Sequence, residues 1–474
     1  MTDQSTPLIV DLDGTLLNTD MMVESLLAVL KKNLLLIFVM PVWLLQGRAR
    51  FKRELAARVQ VDAVTLPYNS EVLERLQLEK SAGRTLILAT GSDSALAQPI
   101  AEHLQIFDRV MASDGLCNLT REHKRTALVT EYGEGGYDYL GNSSADIPVW
   151  ASARHSLVVA APGTLQRLSR HTRFDEVFSL PAAGFKVWLR ALRVHQWLKN
   201  LLLFIPLILA HNQGAAELLP LVVFAFLTFS LCSSAVYVIN DLMDLPNDRR
   251  HPSKCRRPFA SGALSVFSGL FLAPSLLLIV VLMLSQQPVA FIQVTALYFI
   301  LTCGYSLVLK RIVIVDVLTL AMLYTLRIIA GGAVVGLVVS FWLLAFSMFI
   351  FMSLALLKRY AELLEVPEDG GAIAVSGRGY STRDAGFLST LGAASGYSSV
   401  VVMALYINSD VVMQMYSARE VLWFVCPVLL FWISHMWFSA HRGRMHEDPI
   451  VFAVKDAVSL LSAGALALLF YLAV

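Results

Sequence analysis

The sequence predicts an α/β domain on a parallel sheet, followed by an all-α polytopic membrane domain of about nine transmembrane helices. Three observations predict it: apolar residues crowd into the later part of the chain, charge alternates between successive loops there, and the early part places polar motifs at the ends of short apolar strands. Only 16% of the 474 residues are charged, against about a quarter in soluble domains, so much of the chain belongs in lipid. Charged residues keep an ordinary density up to Lys199, which sets a front domain over 1–182 and a membrane domain over 183–474. The net charge of +2 carries no basic bias and excludes a general nucleic-acid partner. Cys117, Cys232, Cys255, Cys303 and Cys426 are scattered, without a CxxC pair or metal spacing, and read as reduced. The N-terminus runs directly into a strand-like segment with no secretory signal, so the front domain is expected in the cytoplasm.

Apolar runs long enough to span lie at 197–212, 217–239, 264–285, 288–309, 313–336, 338–357, 386–407, 420–440 and 451–473. Their loops alternate. Arg249, Arg250 and Lys254, then Lys310 and Arg311, then Lys358 and Arg359, then Arg442 and Arg444 fall on one side, whereas the opposite loops hold a single basic residue, Arg419. By the positive-inside rule the basic loops face the cytoplasm, which implies an inner, cytoplasmic membrane and an outer C-terminus. A shorter apolar run, 34–45, is interrupted by Pro41 and followed by Arg48, Arg50, Lys52 and Arg53; it reads either as a buried helix or as an interfacial segment on the inner leaflet.

In the front domain the strand 8–10 ends in DLDGT, where Asp11 and Asp13 project toward one site able to hold Mg²⁺ and to attack phosphorus. A second strand ends in Thr90, Gly91 and Ser92, a hydroxyl and amides that suit a phosphate. Lys124 would neutralise that phosphate, and the stretch 139–146 offers further metal ligands after a third strand. This ordered set resembles the haloacid dehalogenase phosphatase superfamily over residues 7–180. The resemblance implies a Rossmannoid parallel sheet with a small cap insertion. It also implies Asp11 as nucleophile, Asp13 as general acid and base, Thr90 and Lys124 as phosphate contacts, and Asp146 as a metal carboxylate. Asn142 stands where the family usually has a second aspartate; its amide oxygen still suits Mg²⁺, but one negative charge is lost. A working phosphatase and a weakened or regulatory domain both stay open.

The loop after the second span reads YVINDLMDLPNDRRHPSKCRRPFASG. Asp241, Asp244 and Asp248 recur at spacings of three and four and share one face of a helix that prolongs the span. Three carboxylates on one face repel unless a cation sits among them, and Mg²⁺ carrying a diphosphate is the natural occupant. Lys254, Arg256 and Arg257 follow at once and suit phosphate. Tyr305 and Lys310 close the fourth span, and Arg327 lies in the middle of the fifth, where it is expected to face a polar cavity or the side that carries Asp316. Lys358, Arg359 and Glu362 lie in KRYAE after the sixth span, Arg378 and Tyr380 in the loop beyond, and Lys199 before the first, while Trp197 reads as an interfacial anchor. His435, His441 and His446 have no helical metal spacing and receive no role.

Residues 186–474 resemble the UbiA superfamily of intramembrane prenyltransferases, whose leading signature is NDxxDxxxD, present here from Asn240 through Asp248. Usual members hold an isoprenoid diphosphate between two acidic motifs; here KRYAE replaces the second. That departure, the extended NDxxDxxxDxxHPxKxxRPxASG string, YSxxLK and RxIAGG are similar to one branch, the decaprenyl-phosphate phosphoribosyltransferases. The resemblance implies transfer of 5-phosphoribose from phosphoribosyl diphosphate (PRPP) to a polyprenyl phosphate lipid. Asp241, Asp244 and Asp248 would hold Mg²⁺, Lys254, Arg257 and Lys310 would face the leaving diphosphate, and Arg327, Lys358 and Arg359 the lipid phosphate or the ribose 5-phosphate. The fused front domain would then remove the 5-phosphate, giving a pentose donor for the cell envelope. Two other readings compete: a prenyltransferase joining a polyprenyl diphosphate to an aromatic or other small acceptor, and a non-catalytic membrane scaffold.

Overall fold

The computed structural model describes residues 6–180, 183–209, 215–365, 379–410, 412, 416–445 and 448–473. The chain forms two compact units, Met1–Leu192 with Tyr237–Ala273, and Arg193–Val236 with Pro274–Val474.

The first unit is built on six strands: β1 (Leu8–Val10), β2 (Leu86–Asp93), β3 (Arg109–Ser113), β4 (Asp138–Gly141), β5 (Ser156–Ala160) and β6 (Glu176–Ser179). All pair in parallel, in the order β3-β2-β1-β4-β5-β6. Runs such as LIV and SLVVA suit strands covered on both faces. Alternation then sorts the side chains: Leu8, Val10 and Leu88 pack with Leu76 and Ile100 on one face, Ile9, Ile87 and Tyr139 with Leu128 and Trp150 on the other. The order reverses at β1, so the crevice beyond its carboxyl end is where such sheets take ligands.

The cap insertion lies between β1 and the helix Ser70–Ser81, and contains the helices Met21–Lys32, Met40–Leu45 and Arg48–Ala56. Asp20 starts the first by accepting the Val23 N–H. Pro41 sits in the first turn of the second, where a missing N–H costs nothing. Of the apolar run, Met40 and Trp43 are buried, together with Val29 and Leu55, while Leu35, Phe38 and Leu45 face outward. The buried-helix reading of 34–45 therefore fails for most of the segment. Residues 237–273 complete this unit, with Val238, Leu242, Leu264 and Val266 in one core with Val23 and Leu27 of the insertion.

Among the described residues seven helices are long and apolar enough to cross a membrane: Ala216–Met243, Val266–Leu284, Val289–Leu307, Val315–Val335, Phe341–Leu364, Thr382–Ile407 and Arg419–His441. The two spans expected at the ends of the domain are not single long helices among the described residues, and residues 210–212 of the first lie outside them. The first expected span is a shorter apolar helix, Val194–Leu209, whose opening turns wind as 3₁₀. The last is split into Pro449–Lys455 and Ala457–Ala473, bent by 83°. Asp456 causes the break: its carboxylate accepts from the Ser459 N–H and hydroxyl at 2.8 Å each and contacts His435 at 2.9 Å, capping a new helix inside the apolar run. Within the second unit, glycines set the closest approaches. A Cβ on Gly331 would stand 2.0 Å from the Leu203 carbonyl oxygen, and one on Gly392 2.1 Å from the Trp437 ring.

Candidate active sites

In the first unit, DLDGT turns at the end of β1. Lys124, from the helix Glu122–Tyr132, donates to Asp11 at 2.7 Å and to the Tyr139 hydroxyl at 3.0 Å, and stands 3.7 Å from Asp146. Asp146 is held in turn by the Tyr139 hydroxyl at 2.7 Å and the Ser143 N–H at 3.0 Å. Asp13 accepts from the Ser92 hydroxyl at 2.6 Å, the Met21 N–H at 2.7 Å and, more loosely, the Thr90 hydroxyl at 3.4 Å. Gly14 turns at φ +74°, and its missing Cβ leaves the space that the Asn142 amide fills. Asp11, Asp13, Thr90, Lys124, Asn142 and Asp146 are thus gathered at the switch point. Burial pushes the Asp11 carboxyl up to about 6, against the pull of Lys124, and Asp13 up to about 7, with Asp20 and Asp11 adding repulsion.

Lys52, on the insertion helix Arg48–Ala56, donates to the Gly91 carbonyl at 2.5 Å and to Asn118 at 2.9 Å. Burial lowers its pKa while Asp13 and Asp20 raise it. Sequence reading gave Lys52 no chemical role. Its only signal was a basic run after the apolar segment, and nothing local links that run to β2.

The acidic loop belongs to the same unit. The span ends at Met243, the chain kinks at Asp244, and Leu245–Arg250 continues as a short helix. The kink preserves the helical bonds from Asp244 N–H to Asn240 and from Asp248 N–H to Asp244, yet divides the three carboxylates. Asp241 and Asp248 both accept from one nitrogen of Arg257, at 3.2 and 2.6 Å, while Asp244 pairs with Lys31 of the insertion at 2.8 Å. Burial raises the Asp248 carboxyl against the pull of Arg257. Arg249 grips both oxygens of Glu24, at 2.8 and 2.5 Å, and Arg250 holds Asp62 at 2.9 Å. Lys254 sits half-buried in the turn that leads to Arg257.

Among the described residues no group of three or more His, Cys, Asp or Glu stands together as a metal site. The oxygen donors nevertheless suit Mg²⁺ in chemistry, and in both places one side-chain cation already serves two carboxylates: Lys124 for Asp11 and Asp146, Arg257 for Asp241 and Asp248.

The second unit holds two polar clusters. In one, Asp448 accepts from Lys199 at 2.6 Å and Lys358 at 2.9 Å, and Tyr324 lies between this cluster and Arg327. Arg327 is buried; it donates to Asn200 at 2.8 Å, the Tyr298 hydroxyl at 3.1 Å and the Leu323 carbonyl, and its guanidinium lies 5.0 Å from the Tyr298 ring centre. These partners are neutral, and Asp316 is not among them. In the other cluster, buried Arg359 donates to Asp316 at 2.5 Å, Glu362 at 2.6 Å and the Tyr305 hydroxyl at 2.7 Å, and Tyr380 donates to Asp316 at 2.5 Å. Lys199, Arg327 and Lys358 are thus brought together, and Tyr305, Arg359, Glu362 and Tyr380 form a second group around Asp316, in which Glu362 and Arg359 also act on Lys358. Lys310 lies half-buried in the turn Leu309–Arg311, and Arg378 and His446 fall outside the described residues. Sequence reading missed Asp448. Its sign was the Asp-Pro step, an N-cap before the helix Pro449–Lys455.

Comparison with known proteins follows the same division. Residues 8–151 match the haloacid dehalogenase-like hydrolase family, and residues 200–369 match the UbiA prenyltransferase family. Over 99% of its length the chain is 35% identical to uncharacterized protein y4nM of Sinorhizobium fredii, covering 92% of that protein. It is 37% identical to nodulation protein NoeC of Azorhizobium caulinodans, over 60% of the chain and 92% of that protein. It is 29% identical to the decaprenyl-phosphate phosphoribosyltransferase of Mycolicibacterium smegmatis, over 57% of the chain and 86% of that protein.

Proposed function

Because the chain belongs to the UbiA prenyltransferase family and carries a haloacid dehalogenase-like hydrolase domain in front, we propose a two-step activity on a lipid carrier. The membrane domain transfers 5-phosphoribose from PRPP to a polyprenyl phosphate, and the front domain then removes the 5-phosphate. One observation carries the reading: Lys199 and Lys358 share Asp448, Tyr324 lies beside Asp448, Lys199 and Arg327, and Glu362 is the further carboxylate near Lys358. With Glu362 already bonded to Arg359, two ammonium groups on Asp448 leave a net positive charge, and the buried Arg327 guanidinium, whose hydrogen-bond partners are neutral, adds another. Such a pocket suits an anion, here the lipid phosphate. Likeness to decaprenyl-phosphate phosphoribosyltransferases over most of their length supports the choice of donor.

In the transfer, a phosphate oxygen of the lipid attacks the ribose anomeric carbon, the bond to the diphosphate breaks, and diphosphate leaves with its electron pair. Lys199, Arg327 and Lys358 hold the attacking phosphate. Asp241, Asp244 and Asp248 would hold Mg²⁺, which offsets the charge of the diphosphate. Lys254 and Arg257, in the same unit as the acidic loop, would face the leaving group as fixed positive charge. Arg359, bound by Asp316 and Glu362, also positions Tyr305, and Asp316 positions Tyr380.

In the front domain an Asp11 oxygen attacks the phosphorus and the ribose oxygen leaves, taking a proton from Asp13. Water then attacks the phosphorus of the aspartyl phosphate, with Asp13 taking its proton, and the bond to Asp11 breaks to release phosphate and the free Asp11 carboxylate. The carboxyl raised further, Asp13, is the one fitted to carry the proton near neutral pH. Thr90 and Lys124 hold the phosphate, and Asp146 and Asn142 would complete a Mg²⁺ site.

The front domain and the basic loops are assigned to the cytoplasmic side of an inner membrane. Residues 1–192 and 237–273 form one unit, so the chain returns to its starting side after the helix Ala216–Met243. That return supports a crossing by the stretch that begins with Val194–Leu209.

The test is incorporation of radiolabel by the purified chain in liposomes. PRPP with polyprenyl phosphate is set beside polyprenyl diphosphate with an aromatic acid. Label entering lipid from PRPP alone supports the proposal, and product only in the second mixture overturns it.

A further inference from the structure

Among the described residues, the apolar turn of the cap insertion, 35–45, has no partner over most of its surface. Every residue in it is apolar, LLIFVMPVWLL, and all but two or three side chains point away from the unit. Leu35 is 70% exposed, Phe38 78% and Leu45 88%, whereas Met40 and Trp43, at 7% and 8%, anchor the turn to the small core around Val29 and Leu55. A contiguous outward apolar face of this kind marks an interaction surface.

Charge and position identify what covers it. Between Glu24 and Glu54 there is no acidic residue, while Lys31, Lys32, Arg48, Arg50, Lys52 and Arg53 supply six basic ones. Basic residues beside an outward apolar face suit an anionic lipid surface. The preceding helix, Met21–Lys32, packs Val23 and Leu27 against Leu242 and Val266, which belong to the membrane-crossing helices Ala216–Met243 and Val266–Leu284. Lys31 reaches Asp244, one residue past Met243. From Lys31 to Leu35 is four residues, a reach of roughly 14 Å at most. The interfacial zone on each side of the hydrocarbon is about 5–7 Å deep, so the turn starts within reach of it.

We propose that 35–45 is a membrane-interface anchor: Leu35, Phe38, Val42, Leu44 and Leu45 insert at the headgroup–acyl boundary of an anionic leaflet, and the exposed Arg48 and Arg50 bind its phosphates, while Lys31, Lys52 and Arg53 keep their partners inside the unit. The anchor fixes the cap next to the bilayer. Because Lys52 lies seven residues beyond Leu45 and reaches β2, the same anchor fixes one wall of the phosphatase-like site.

The full-length chain is reconstituted, one copy per nanodisc, in phosphatidylethanolamine with phosphatidylglycerol carrying a diazirine high on one acyl chain. After irradiation, tryptic peptides are mapped by mass spectrometry. Cleavage after Lys32 and Arg48 isolates the anchor in a single peptide. Lipid adducts are expected on that peptide and not on the peptide bearing Leu116, which is 95% exposed in the same unit. Combining Phe38→Glu with Leu45→Glu should lower the anchor adducts at least tenfold while adducts on the spans persist. Adducts on the spans with none on the anchor peptide overturn the proposal. So does equal labelling of the Leu116 peptide, which means indiscriminate contact. Protection of the peptide that appears only at several copies per disc assigns the face to a second copy and also overturns it. None of these outcomes depends on the activity proposed above.

Discussion

At the scale of single residues, the two front aspartates have the clearest consequences. Asp11→Asn removes the attacking oxygen, so phosphate release from the phosphoribosylated lipid should fall by a factor on the order of 10⁴ or more, while label transfer from PRPP persists. Burial raises both carboxyls above their ordinary 3.8, Asp11 to about 6 and Asp13 to about 7. Raised carboxyls bind protons in the folded state that the unfolded chain has released. The stability they contribute is therefore full below about pH 4 and is lost as pH rises through 6 and 7. Mg²⁺ competes with those protons, so its effect on the melting temperature should be larger at pH 8 than at pH 5.5. Equal shifts at both pH values would contradict a role for these carboxylates in holding the metal. In the second unit, Asp448→Asn leaves Lys199 and Lys358 without their carboxylate in a buried place. A loss of about 3–5 kcal/mol is expected, read as a lower melting temperature in detergent. A melting temperature unchanged from the parent would show that the triad does not form.

At the scale of elements, the insertion helix Met21–Lys32 is tied to the acidic loop by Glu24 with Arg249 and by Lys31 with Asp244. Glu24→Gln breaks a nearly buried two-point pair, so amide hydrogen exchange should speed up in both Met21–Lys32 and Leu245–Arg250. Faster exchange in only one of them would contradict the tie. This tie was not legible in the sequence, since Lys31 and Asp244 are 213 residues apart and neither motif names the other. The phosphatase-like site was legible because its parts lie at strand ends, where the parallel pattern delivers them to one edge whatever the loops do. The membrane motifs were legible as residues but not as partners. Spacing suggested that Asp241, Asp244 and Asp248 act as one group, yet the kink at Asp244 gives two of them to Arg257 and the third to Lys31. Arg327 offered two readings, a polar cavity or Asp316, and a helix wheel cannot choose between a neutral aromatic cage and a carboxylate. Hydropathy counted an unbroken ninth span, because a window average hides the one capping aspartate, Asp456, that splits it. Gly331 is a further element-level test: Gly331→Val puts a branched side chain against the Leu203 carbonyl and should cost about 1–3 kcal/mol or more.

At the scale of the whole molecule, the unit that carries the phosphatase-like site also carries the acidic loop, through the contribution of Tyr237–Ala273. The identity to y4nM runs through both domains, so the fusion recurs in a relative rather than being peculiar to this chain. A lipid bearing a ribose 5-phosphate is the substrate class that links the two chemistries. The most direct measurement supplies PRPP labelled with ¹⁴C in the ribose and ³²P at the 5-phosphate to the reconstituted chain with polyprenyl phosphate and Mg²⁺. The lipid product is expected to carry ¹⁴C without ³²P, with free ³²P-phosphate released, and in the Asp11→Asn variant to carry both labels. Lipid free of ¹⁴C would contradict the transfer, and lipid that keeps both labels in the parent chain would contradict the dephosphorylation.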